Sequence, residues 1–248
     1  MARIDYEQVA AAYTAARGLT PDGLGGWRRS LAPFLSGLAL PVADIGSGAG
    51  QFANLFPGWF DVDVIGIEPS DAMRQRAEAA RTSDRVRYKS GDAEHLPLES
   101  ASCGAAWIST VIHHIPDLAA AAREVRRVLV PGGRVLIRSA FPGRTCGISL
   151  CRYFPETADV IDTFPSVAQV ARDFGAAGFR LVRVEPVPQI SIPNLAEMRP
   201  RVELRADTTL RGIWDAAFTA GLARLDAALA AGHGDDAVVD YLDFLVLR

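Results

Sequence analysis

Residues 44 to 50 read Asp44-Ile45-Gly46-Ser47-Gly48-Ala49-Gly50, three glycines at alternate positions behind an acid. Glycine serves where a backbone must take positive φ or approach a ligand closely. The segment follows an apolar run, Val42 to Ile45, and precedes a helical pattern from about Gln51. A helix N-terminus behind such a turn presents free N–H groups. Alone, this could equally be a tight strand-to-helix connection. Glu68 ends the next apolar run, 18 residues past Gly50. A carboxylate there can accept two hydrogen bonds from a ribose diol, a solvated turn residue being the alternative. A nicotinamide-dinucleotide site wants its third glycine three residues after the second, whereas position 51 is Gln and no Tyr-x-x-x-Lys pair accompanies it.

A second candidate is His113-His114, just past the apolar run Cys103 to Ser109. Ligands of open parallel sheets bind outside the C-terminal strand ends, so these imidazoles stand where a general base would serve. A structural role in the loop is the competing reading. His95 and His233 lack a spacing that would complete a metal set with them, so no metal is expected. Cys103, Cys146 and Cys151 form no C-x-x-C pair and read as free thiols.

The elements that must position these groups alternate. Short apolar runs at 42–45, 62–67, 86–89, 103–109, 134–139 and 179–185 are separated by helical patterns, the signature of a sheet covered on both faces. The first helix is expected to stop before Pro57. Ser70 caps a helix to about Arg81, with Asp71 in its first turn. Asp117 caps another, whose Leu118, Ala121, Ala122, Val125, Val128 and Leu129 share one face and which ends at Pro131-Gly132-Gly133. Ser166 and Gln169 form a capping box closed by Gly178. A long helix is expected over Thr208 to Ala231, and Val238 to Leu247 reads as a final strand.

Taken together, these segments resemble the class I S-adenosylmethionine (SAM) methyltransferases, of the kind that methylate small molecules such as quinones. Asp44-x-Gly-x-Gly-x-Gly is similar to their first motif, and Gly66-Ile67-Glu68-Pro69-Ser70 to their second, with Met73 in the helix that follows. Gly91-Asp92-Ala93-Glu94-x-Leu96-Pro97, Ser109-Thr110-Val111-Ile112-His113-His114 and Arg126-Arg127-Val128-Leu129-x-Pro131-Gly132-Gly133 resemble the next three, in order. The resemblance implies a Rossmann-like seven-stranded α/β sheet, order 3-2-1-4-5-7-6, with the last strand antiparallel, and a helical cap. It implies SAM as cofactor and S-adenosylhomocysteine as product. Gly46, Ser47, Gly48 and Gly50 would cradle the methionyl part, with Asp44 orienting the loop or accepting from the amino group. Glu68, beside Pro69, would hold the ribose. Gly91, Asp92, Ala93 and Glu94 would form the adenine pocket with Met73, and Ser109 and His113 would line the site. Tyr13 and Arg17 would close over the methionine moiety, packing and a solvated helix end being their alternatives. His114 and His113 are the candidate catalytic residues.

One methyltransferase domain over residues 1–248 is expected, with an N-terminal helical arm or lid at 1–41 and a substrate-capping insertion at 187–235. With 26 basic and 29 acidic residues the chain carries a net charge of −3. It lacks the basic footprint of a nucleic-acid enzyme. No apolar run approaches ~18 residues, and the N-terminus has no apolar leader pattern. The expectation is a cytoplasmic enzyme of biosynthesis, including natural-product metabolism, acting as a monomer or homodimer on a small molecule without nucleic-acid or membrane partners. The alternative is a SAM-binding protein that transfers no methyl group, a regulator or a cyclase-like scaffold.

Overall fold

The computed structural model describes residues 19, 20 and 22–248; Tyr13 and Arg17 lie outside them. Seven strands form one sheet in the order β3-β2-β1-β4-β5-β7-β6. They are β1 (Val42–Ile45), β2 (Val64–Ile67), β3 (Val86–Lys89), β4 (Cys103–Ser109), β5 (Leu129–Ser139), β6 (Leu181–Ile192) and β7 (Val238–Leu247). The first five run parallel, and β7 is antiparallel to β5, with Ser139 opposite Asp243. The expected topology is therefore the observed one. β1 is buried at every position and β4 at all but Ser109, as central strands covered on both faces must be.

Two compact units result. The sheet unit comprises Arg28–Ser139, Pro165–Pro186 and Asp243–Arg248. Its helices include most of α1 (Gly25–Leu35), then α2 (Gln51–Phe60), α3 (Asp71–Ala79) and α4 (Leu118–Val128). Phe52, Phe56 and Phe60 recur every four residues along α2, and Trp107 of β4 meets the first two at 5.1 and 5.9 Å between ring centroids. Burying side chains of that size stabilises by about 1.5–3 kcal/mol each. That explains why α2 runs through Pro57 to Phe60 instead of stopping before it: one hydrogen bond is lost, but the aromatic stripe is kept.

The second unit takes the described residues up to Trp27, together with Ala140–Phe164 and Val187–Leu242. It holds α5 (Ser149–Tyr153) and α6 (Glu156–Ile161), whereas α7 (Val167–Ala176) belongs to the sheet unit. It also holds α8 (Leu195–Glu203), α9 (Thr208–Gly212) and α10 (Asp215–Ala228). Phe154, Met198, Leu210, Ile213 and Leu225 lie in its core. Gly221 leaves room for Phe154, which stacks on Phe218 with centroids 5.7 Å apart.

The single helix expected over 208–231 is divided. Arg205 donates to the carbonyls of Leu210 (3.3 Å) and Ile213 (3.0 Å), so α9 ends there and Trp214 starts α10. Two strands are also longer than expected. β5 begins at Leu129, the Pro131-Gly132-Gly133 run being absorbed beside a register shift between Cys103 and Ala105. β6 continues to Ile192 through Pro186 and Pro188, which an edge strand tolerates because it has an unpaired side.

Candidate functional site

The glycine loop leaves β1 and folds back at once, Gly46 N and Ser47 N both donating to Ile67 O of β2 at 2.8 and 3.1 Å. Gly46, Gly48 and Gly50 have φ of 71°, 54° and 81°, the left-handed region that side chains avoid. Their surroundings differ. A Cβ on Gly46 would lie 2.5 Å from Val111 Cγ2, and one on Gly50 would run into the Tyr88 ring and hydroxyl. Among the described residues, a Cβ on Gly48 would meet only Met73 Cε, at 3.5 Å. Among them the middle glycine thus has room for a Cβ, with a buried methionine beside it. Ser47 Oγ beneath the loop is buried and has no hydrogen-bond partner among the described residues.

Two acids govern this loop from below. Glu68 is 7% exposed; its Oε2 accepts from Gly48 N and its Oε1 from Ser70 N, both at 3.0 Å. Ser70 in turn caps α3 by accepting from Met73 N at 3.2 Å, so the exposed Pro69 sits in a turn tied at both sides. Asp44 is 3% exposed and accepts from the Ala53 backbone amide. This supplies the cap that Gly50, which has no side chain, cannot give α2. Burial, with the nearby Glu68 charge adding, pushes the Asp44 carboxyl up to about 7.

The segment after β3 is held as firmly. Asp92 Oδ1 accepts from Glu94 N (3.0 Å) and His95 N (2.8 Å), and Glu94 Oε1 accepts from Asp117 N (2.7 Å) at the cap of α4. Arg127 of α4 donates to the carbonyls of Leu96 and Leu98. Gly91 is packed against Pro97, and Ala93 is 9% exposed.

Beyond β4, Thr110 carries φ 54°, a strained backbone for a β-branched residue. A 3-10 turn over Ile112–His114 follows, and the rings of His113 and His114 meet with centroids 4.1 Å apart. Sequence reasoning missed a polar cluster at this sheet edge. Arg138 is 4% exposed, Ser139 1% and Asp243 4%. Arg138 Nη1 donates to Ser109 Oγ at 3.0 Å, whereas Ser139 Oγ finds no hydrogen-bond partner among the described residues. An arginine directly after the apolar run Val135 to Ile137 was the available signal. In the insertion, Arg201 pairs with Glu197 and Arg205 with Asp215.

All the described candidate residues from Asp44 to His114 thus fall within the sheet unit, at or just beyond the C-terminal ends of β1 to β4. Residues 43–137 match the family model described as a methyltransferase domain. The chain is 30% identical over 195 residues to 27-O-demethylrifamycin SV methyltransferase of Amycolatopsis mediterranei, covering 75% of this chain and 71% of that one. It is 30% identical over 142 residues to a ubiquinone/menaquinone biosynthesis C-methyltransferase of Paracoccus denitrificans, covering 53% of this chain and 56% of that one. Among solved structures, a protein assigned as a methyltransferase of an antibiotic biosynthesis pathway in Anabaena variabilis superposes with a TM-score of 0.72 at 20% identity, over 90% of this chain and 96% of that one.

Proposed function

Since this chain belongs to the class I SAM-dependent methyltransferases, we propose that it moves the methyl group of SAM to an oxygen, nitrogen or carbon atom of a small molecule, in a biosynthetic pathway such as that of a natural product. The relatives named above include an O- and a C-methyltransferase, so the methylated atom is a matter for assay. The observation that carries the reading is the Gly48–Glu68 pair: an open left-handed glycine whose amide is held by a buried carboxylate.

The residues fit the cofactor. Gly48 leaves the space a Cβ would fill, Ser47 Oγ is a buried polar atom without a hydrogen-bond partner among the described residues, and Met73 offers an apolar surface. Gly46, Ser47, Gly48 and Gly50 would hold its methionyl part, Glu68 its ribose, and Asp92 and Ala93 its adenine. SAM supplies a methyl group already activated on a sulfonium. What the chain adds is position, exclusion of water and, for an acceptor that must lose a proton, a base. His114, its ring against His113, is our candidate for that base. We assign acceptor choice to the helical insertion. The reading includes a cytoplasmic monomer or homodimer, testable by cell fractionation and light scattering.

The deciding experiment is transfer of radiolabelled methyl from SAM across a panel of phenols, hydroxyquinones, macrolactones and amines. Label in at least one organic product is expected. Binding of SAM without transfer to any member would instead favour a cofactor-binding scaffold.

A further inference from the structure

We propose that Arg138 is a positioning residue for the cofactor loop, holding both ends of it from β5, two strands away from β1 in the sheet. The inference rests on the methyltransferase reading and adds a residue outside the five sequence motifs.

Arg138 is the penultimate residue of β5 and lies opposite Ser109 in the β4–β5 register. It grips the end of β4 twice: Nη1 donates to Ser109 Oγ at 3.0 Å, and its carbonyl accepts from Thr110 N at 2.7 Å. Between those grips Thr110 is kept at φ 54°, with its hydroxyl donating to Ser109 O at 2.7 Å. A left-handed conformation strains a branched residue and persists only where the surroundings enforce it. The strained turn delivers Val111. Its two methyl carbons fill the space over Gly46, lying 2.5 and 2.7 Å from where a Cβ would stand. The start of the glycine loop is thereby pinned.

The other end is reached directly. Arg138 Cζ lies 5.4 Å from the ring centroid of Phe52, two residues past Gly50 in the first turn of α2. One buried guanidinium therefore touches the helix into which the loop runs and, through Ser109, Thr110 and Val111, the turn that covers its beginning. A planar cation suits this double duty, since it can stack on a ring while donating in its own plane. A leucine would fill the space but fix neither end.

The test uses the full chain, with S-adenosylhomocysteine titrated calorimetrically and amide exchange followed without ligand. Arg138→Met should weaken the affinity about tenfold, the scale of losing a hydrogen bond from a charged group, and speed exchange at Gly46–Gly50 while β3 exchanges as before. Arg138→Lys should recover part of the affinity. Thr110→Gly, which accepts the positive φ without strain, should keep the fold and its melting temperature yet lower affinity at least threefold, a split that a purely structural role would not produce. This variant decides the matter if Arg138→Met does not fold. A folded Thr110→Gly that binds as tightly as the native protein, with unchanged loop exchange, overturns the proposal. Failure of the native protein itself to bind SAM or its product would overturn the functional reading instead.

Discussion

The Gly48 amide donates to Glu68 Oε2 across 3.0 Å, so the second glycine of the loop and the acid ending β2 move as one piece. Glu68 shapes the loop before any ligand arrives. Glu68→Ala should weaken S-adenosylhomocysteine binding by about 1.5–3 kcal/mol. It should also raise amide exchange at Gly48 and Ser70 in the ligand-free protein. Unchanged exchange at both amides would show that the carboxylate does not hold the loop.

The three loop glycines should respond differently to alanine. At Gly46 and Gly50 the new methyl meets Val111 and Tyr88, so folding should suffer first, with a clear drop in melting temperature. At Gly48 it meets, among the described residues, only Met73 Cε at 3.5 Å, and the cost to folding is the conformational strain of about 1–2 kcal/mol. Gly48→Val should therefore remain folded and lose measurable cofactor binding. Thermal melts beside calorimetry separate the two classes.

Stability should carry a mark of Asp44. Its carboxyl is raised from 3.8 to about 7, so the folded protein holds a proton that the unfolded chain releases. Stability from this group is complete below about pH 4 and declines as pH rises to about 7, by at most about 4 kcal/mol. Asp44→Asn keeps an oxygen for the Ala53 amide and removes the titration. Denaturant curves between pH 4 and 8 should show a flatter profile for the variant, which should be no less stable than the native protein at pH 8.

Arg205 should matter for folding rather than for substrate. Its Cζ stands 4.3 Å from the Phe218 ring centroid, it pairs with Asp215 at 2.6 Å, and it caps the carbonyls ending α9. Arg205→Ala should cost about 1–3 kcal/mol in urea unfolding. The KM of whichever acceptor is found should stay within about twofold. A large KM change at unaltered stability would instead place Arg205 against the acceptor.

His114→Ala should lower kcat about a hundredfold with an acceptor that must be deprotonated, leaving affinity for S-adenosylhomocysteine unchanged. Addition of imidazole should recover part of the rate. Full activity in the variant would assign the proton to another group, or to none.

The strands and the glycine loop were legible because each rests on local rules: period-two or continuous apolar runs, caps at Ser70, Asp117 and Ser166, and glycine where φ is positive, whereas the order of the strands came from the family resemblance. What escaped was decided at a distance. Pro57 reads as a stop until Trp107 brings a reason to continue, and the prolines of β6 read as a strand end until the strand is known to be an edge. The same holds for the site. Gly48 and Glu68 announce themselves by type and spacing, whereas Arg138 gains meaning only when β5 lies beside Ser109.

Strand β7 sits between β5 and β6, pairing Val135 with Leu247 on one side, while Arg248 exchanges hydrogen bonds with Arg180 just before β6. During synthesis on the ribosome, β1 to β5 can pair as they emerge, but β5 keeps a bare edge and β6 lacks its neighbour until residues 238–248 are out. Such a late, non-local closure is slow and leaves a strand edge open to other chains. The nascent protein therefore carries an aggregation-prone interval between the emergence of β5 and of β7, and expression should be more sensitive to changes in β7 than to changes of similar size in β3.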